Sequence, residues 1–172
     1  MEMTAIKPNP KSVLIVQERW VGEGLEWLES HDAQANVLIL TENPCPEYAL
    51  DLLEYRPAGL IVCPSSERFT ALGRALPQVR RGTIVREHPR LQTRLLPSER
   101  ALLRLLSRQV GTREIAELLG LSHKTVRNRI SEVGQKLGLE NRSQIVMYYT
   151  GQWQWLRAHR EALESFCGPR RA

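Results

Sequence analysis

The side chains best suited to chemistry lie on one face of a predicted helix that spans residues 123–137. Five polar, non-acidic residues share that face at helical spacing: Lys124, Arg127, Asn128, Ser131 and Gln135. All five can donate hydrogen bonds, and Arg and Asn can bond guanine and adenine through paired contacts. Thr125, Arg129 and Lys136 flank them. The pattern predicts a surface that reads a DNA major groove, although a helix whose polar face meets only water would show the same spacing.

Three further helices are predicted around this one. The apolar stripe of the 123–137 helix consists of Val126, Ile130, Val133 and Leu137, and Ser122 can cap its start. A helix over Thr112–Leu119, capped by Thr112 and ended by Gly120, would bury Ile115, Leu118 and Leu119. An earlier helix begins at Pro97, and a later one is capped by Asn141. Two helices joined by a short glycine-containing turn predict a helix-turn-helix.

The first half of the chain has a different pattern. Four short apolar runs recur, starting at Val13, Val37, Leu60 and Ile84, and helical segments separate them. Continuous apolar runs favour strands covered on both faces. The sequence therefore predicts a small parallel α/β sheet followed by an all-α domain and a tail helix over Gln152–Phe166. The apolar seam of that tail suits either self-association or packing within the chain.

Charge separates the same two halves. The net charge is +5, but residues 91–172 carry 14 Lys/Arg and 7 Asp/Glu, against 10 and 12 in residues 1–90. A basic half beside a mildly acidic half indicates one domain that faces a polyanion, although a solvated basic surface has the same composition.

Other classes of function find little support. The three cysteines, Cys45, Cys63 and Cys167, form no CxxC pair, and the histidines have no metal-ligand spacing. The sequence contains no phosphate-binding loop, nucleophile elbow or dinucleotide fingerprint. We therefore expect no catalytic residue, cofactor or metal. Without a long apolar run or a leader-like segment, a cytoplasmic protein with no membrane partner is expected.

Residues 95–150 resemble the LuxR-type (GerE-like) helix-turn-helix domain of bacterial regulators. The matching residues are Pro97, Glu99, Arg100, Leu103, Leu105, Leu106, Glu114, Ile115, Ala116, Ser122, Thr125, Val126, Arg127, Lys136, Leu137 and Arg142. The resemblance implies that Arg127, Asn128 and Ser131 face base edges, while Lys124, Thr125, Arg129 and Lys136 contact phosphates or the groove margin. Two departures are Leu96, where a capping Thr is usual, and Gly134, which interrupts the recognition helix.

The first half resembles the receiver domain of two-component response regulators. Receivers place an acidic pair after the first strand and a phosphate-accepting Asp after the third. Here Gln17-Glu18 keeps half of the pair, and counting strands along the chain places Cys63 at the acceptor position. The resemblance implies a degenerate receiver, not phosphorylated in the usual way and lacking its last strand and helices.

The predicted organisation is an N-terminal arm (1–11), a receiver-like domain (12–86), a linker (87–94), the helix-turn-helix domain (95–150) and the tail (151–172). The predicted function is a transcription regulator that binds double-stranded DNA as a homodimer on an inverted repeat. The sequence leaves open whether RNA polymerase or another regulator is a further partner. Two alternatives remain: a protein-interaction adaptor with only non-specific DNA affinity, and a redox-responsive regulator that uses Cys63.

Overall fold

The computed structural model describes residues 12–31 and 36–153. The chain divides into two compact units, Met1–Leu91 and Gln92–Ala172. The predicted N-terminal arm and all of the predicted tail helix beyond Trp153 lie outside the described residues. Within the described part of the chain, no helix is long and apolar enough to cross a membrane.

Across residues 12–31 and 36–91, the first unit is a four-stranded parallel sheet with three α-helices, as the apolar runs predict. Its strands are β1 (Leu14–Gln17), β2 (Val37–Thr41), β3 (Gly59–Val62) and β4 (Val85–Glu87), and its helices are α1 (Glu23–Ser30), α2 (Pro46–Glu54) and α3 (Arg68–Arg80). The strands pair in chain order, β1-β2-β3-β4. The third helix continues through Pro77 to Arg80.

The continuous apolar run of β2 is explained by cover on both faces of the sheet. Leu38 and Leu40 belong to the cluster that α3 packs against. Ile39 points to the opposite face, because side chains alternate along a strand, and there it approaches Gly24 of α1. All five residues of β2 are buried. The two faces of one strand therefore form two layers of the core.

The strand order differs from that of a receiver. A receiver has the strand order 2-1-3-4-5, so that its first strand lies between the second and the third. In this protein β1 pairs with β2 alone among the described residues. The sequence could not predict this order, because a short apolar run does not specify which strand it pairs with. The loss of the last receiver strand and helices stays a prediction.

Between residues 92 and 153, the second unit contains the four predicted helices, α4 (Pro97–Ser107), α5 (Thr112–Leu119), α6 (His123–Leu137) and α7 (Arg142–Tyr149). Its core is built from these fully or nearly fully buried side chains: Leu102, Leu103, Leu106, Ile115, Val126, Val133, Ile145 and Tyr149. The prediction that Leu118 is buried is wrong, since it is 62% exposed. Leu119, Ile130 and Leu137 are half-buried.

Helix ends follow the sequence with two differences. Ser122 and Asn141 cap α6 and α7 as predicted, by accepting hydrogen bonds from the backbone N–H groups of Thr125 and Gln144. Thr112 does not cap α5, because the helix begins at Thr112 itself. At the start of α4, where Leu96 offers no capping oxygen, Glu99 Oε2 accepts from Leu96 N at 2.9 Å. One side of a capping box is thus retained.

Candidate nucleic-acid interface

Helix α6 presents the predicted DNA-reading residues on its open side. Lys124, Arg127, Asn128, Ser131 and Gln135 are all exposed, and the flanking Thr125 and Arg129 are half-buried. Within the described residues, Lys124, Arg127 and Arg129 form no ion pair. Ser131 Oγ donates to Arg127 O at 3.3 Å, which leaves its oxygen able to accept. The helix therefore offers several hydrogen-bond donors and uncompensated positive charge to a ligand.

A short turn fixes where this helix begins. Gly120 ends α5 in the left-handed region, at φ 63°, a conformation that glycine adopts without steric cost. Leu121 N then donates to Ala116 O at 2.9 Å. Ser122 Oγ accepts from Thr125 N at 3.0 Å and lies 2.8 Å from Thr125 Oγ1. Thr125 is thereby committed to the helix start, while Lys124 and Arg127 remain available.

The inner side of α6 is seated tightly in the second unit. Val126 and Val133 are fully buried. A Cβ added at Gly134 would lie 2.9 Å from Leu139 O and 3.5 Å from Ile145 Cδ1. Contrary to the sequence expectation, Gly134 does not interrupt the helix, which is continuous from His123 to Leu137. The glycine instead allows the chain after α6 to pass close to the helix.

Lys136 has a structural contact that the sequence did not predict. Its Nζ donates to Glu99 Oε1 at 2.6 Å, which joins the end of α6 to the start of α4. Burial alone would raise the pKa of the Glu99 carboxyl. The hydrogen bonds from Lys136 and Leu96 N, together with the charges of Lys136 and Arg129, outweigh burial and hold that pKa below its ordinary value. Contact between Lys136 and a phosphate stays a prediction.

Arg142 is a second structural residue that sequence reasoning placed only as a family match. Its Nη2 donates to Val110 O at 2.6 Å, and its Nη1 donates to Thr112 Oγ1 at 3.4 Å. The side chain is half-buried and ties α7 to the connection between α4 and α5. The sequence did contain a sign of this role. A cation at the start of a helix is unfavourable toward the helix dipole, so an arginine at that position indicates a stabilising contact elsewhere.

The residue after β1, Glu18, carries a carboxyl group with a structural role. Glu18 Oε1 accepts from Gly24 N at 2.9 Å and from the hydroxyl of Tyr48. Burial raises the pKa of Glu18, and hydrogen bonds from Thr41, Tyr48 and the backbone N–H groups only partly oppose that shift. The remaining acid of the receiver pair therefore caps α1 and anchors Tyr48.

The assignment of Cys63 to the acceptor position stays a prediction, and the strand order places Thr41 closer to β1. In the order 2-1-3 the acceptor strand lies next to the first strand; here that neighbour is β2, which ends at Thr41. Cys63 follows β3, one strand further away. Thr41 is buried and its Oγ1 accepts from Asn43 N at 3.0 Å. Burial and the charges of Glu67, Glu42 and Glu87 raise the pKa of Cys63, which disfavours the reactive thiolate.

Among the described residues, no group of three His, Cys, Asp or Glu side chains could hold a metal ion.

The sequence profile of the family described as bacterial regulatory proteins, luxR family, matches residues 94–149. The chain is 49% identical over 53 residues to the spore germination protein GerE of Bacillus subtilis, covering 31% of this chain and 72% of that protein.

Two longer matches extend into the first unit. The DNA-binding transcriptional activator DevR/DosR of Mycobacterium tuberculosis is 30% identical over 148 residues, which cover 75% of this chain and 67% of that protein. A solved structure of the Salmonella typhimurium RcsB response regulator aligns with a TM-score of 0.42 at 25% identity, over 79% of this chain and 74% of that one.

Proposed function

Because the chain belongs to the LuxR family of bacterial regulatory proteins and is a DNA-binding transcription regulator, we propose that it reads a specific base sequence through α6, as a homodimer on an inverted repeat and without phosphorylation. Arg127, Asn128 and Ser131 face base edges, and Lys124 and Arg129 contact phosphates. The half-sites lie roughly one turn of DNA apart, as two-fold helix-turn-helix dimers require.

One observation carries the sequence-reading role. Helix α6 is seated by fully buried Val126 and Val133, and on its other side it exposes Arg127 and Asn128, which have no acidic partner among the described residues. A rigid helix that holds bidentate donors at fixed spacing can discriminate bases, whereas a mobile basic segment supplies only phosphate attraction.

The base-reading role is tested by Arg127→Ala. We expect it to cost about 1–3 kcal/mol on the preferred site, because a bidentate contact to a base is lost, and to cost much less on random duplex. The measurement is competition binding at fixed salt. Arg80→Ala is the matched control, since it removes the same charge from an exposed position in α3 of the other unit. Arg129→Ala should weaken cognate and random DNA by similar factors.

If Arg127→Ala lost the same amount of affinity for cognate and for random DNA, the assignment of base reading to α6 would be contradicted. A loss for Arg80→Ala as large as that for Arg127→Ala would mean that net charge, and not the position on the helix, governs binding.

Phosphorylation independence rests on the carboxyl ends of β1, β2 and β3. Gln17 replaces one carboxylate of the receiver pair, and neither Thr41, at the end of β2, nor Cys63, at the predicted acceptor position after β3, is a carboxylate. Neither a hydroxyl nor a thiol forms an acyl phosphate, and a single carboxylate binds Mg²⁺ weakly. Glu18, the remaining acid, is already committed to Gly24 N and Tyr48.

A further inference from the structure

The outer edge of β1 is an unprotected strand edge. In the described residues β1 pairs with β2 alone. Sheets normally protect such an edge with charge, proline or a bulge. The four residues of β1, LIVQ, include neither a charge nor a proline. This sequence is typical of an interior strand, yet β1 lies at the edge of the described sheet.

The main-chain groups of β1 divide cleanly between its two sides. Leu14 N donates to Asn36 O at 2.9 Å and Glu18 N to Leu40 O at 3.0 Å, both toward β2. Because alternate residues of a strand direct their N–H and C=O groups to opposite sides, Ile15 and Gln17 direct theirs outward. Among the described residues, neither Ile15 nor Gln17 has a main-chain hydrogen-bond partner on this outward side.

Large apolar side chains of β1 are exposed on both faces of the sheet. Leu14 is 48% exposed and Ile15 is 39% exposed, although both are large hydrophobic residues within a strand. In parallel sheets such residues are normally covered on both faces. An added strand would therefore satisfy the free main-chain groups and cover these two side chains at once.

We propose that β1 pairs with β1 of a second copy of this chain, antiparallel and centred on Ile15, so that two four-stranded sheets become one continuous sheet. In this register Ile15 faces Ile15 of the second copy, and Gln17 faces Val13. Outward main-chain groups meet outward groups in each pair. Leu14 lies opposite Val16, which gives an apolar cross-strand pair. Since a residue on the two-fold axis meets itself, the interface is self-complementary.

This interface specifies how the proposed homodimer forms. Only its role in DNA binding rests on the proposed function. Pairing of the first units would place two helix-turn-helix units on one inverted repeat, and the linkage would raise their effective concentration on the second half-site. Base reading by one helix-turn-helix unit on a single half-site does not depend on it.

The two-fold position of Ile15 gives a direct test with the full chain. Tagged Ile15→Lys is mixed with untagged Ile15→Lys or with untagged Ile15→Glu, and the retained untagged chain is quantified. We expect about tenfold more retention of the Glu partner, because opposite charges face each other there and like charges repel. Any association through another part of the chain contributes equally to both mixtures. The matched control is the same pair of substitutions at Ile84, which is 67% exposed and lies beside β4, at the other edge of the sheet.

A second variant guards against misfolding. Gln17→Pro removes an outward N–H without taking a hydrogen bond from the β1–β2 ladder, so we expect it to weaken self-association while circular dichroism stays native. Equal retention of the Lys and Glu partners, or Gln17→Pro association equal to that of the unsubstituted chain, would overturn the proposal; the edge would then be covered within one chain, as by residues 1–11. Binding of the same variants to a single half-site, measured in parallel, reports separately on the proposed function.

Discussion

At the scale of the residue, the exposed side chains predicted to read DNA differ from the side chains that fix helix α6 in the fold. Arg127 and Asn128 are exposed and have no acidic partner in the described part of the chain. Lys136, predicted from the same pattern, is bonded to Glu99. Spacing along a helix could not distinguish these cases, because Glu99 lies 37 residues earlier in the chain. A contact at that separation depends on how α4 and α6 pack.

The Glu99–Lys136 pair predicts a pH dependence of stability. The pKa of Glu99 is lowered in the folded state, so the pair stabilises the fold above the unfolded carboxyl pKa of about 4.3. That stability is lost as pH falls through the lowered pKa. Glu99→Gln should therefore reduce the free energy of unfolding of the second unit at pH 7 but have little effect at the acidic end of the titration, in urea melts across pH.

The control for Glu99→Gln is Glu140→Gln, which removes an exposed carboxylate from the same unit. A constant effect of Glu99→Gln at all pH values would show that packing, and not the ion pair, is what the substitution disturbs.

At the scale of the element, the sequence predicted most helices and strands but not how the strands are ordered. Apolar runs at Val37 and Leu60 indicated strands buried on two faces, and the structure has them at β2 and β3. The strand that pairs with β1 is not encoded in the sequence pattern of β1, so the sequence did not predict that β1 lies at the edge of the sheet. Leu118 was misplaced for a related reason, since helical spacing does not show which leucine of an adjacent pair faces the core.

The start of α6 supports a second prediction. Ser122 Oγ accepts from Thr125 N at 3.0 Å, so Ser122→Ala should lower the free energy of unfolding by about 1 kcal/mol. Ser122→Asn should restore most of it, because Asn caps well without adding charge near DNA. Chemical denaturation checks the order of the three proteins. A Ser122→Asn variant no more stable than Ser122→Ala would contradict the capping role.

At the scale of the whole molecule, a basic helix-turn-helix unit follows a four-stranded sheet unit that the proposed function treats as independent of phosphorylation. We expect beryllium fluoride with Mg²⁺, a mimic of a phosphorylated receiver, to leave DNA affinity and self-association unchanged, because Gln17, Thr41 and Cys63 supply no carboxylate that would hold it. Titration of DNA with and without the mimic measures this. Tighter DNA binding in its presence would mean that the edge near Glu18 still functions as an acceptor site.

The central claim, a dimeric sequence reader, is tested most directly by selection of the purified chain on a random pool of duplex DNA at near-physiological salt, followed by sequencing. The account predicts enrichment of an inverted repeat with half-sites about one helical turn apart, and loss of that enrichment with Arg127→Ala. An enriched single half-site would retain base reading but contradict the dimer. Retention on DNA without any enriched sequence would contradict the claim itself and leave phosphate attraction alone, as expected of an interaction adaptor.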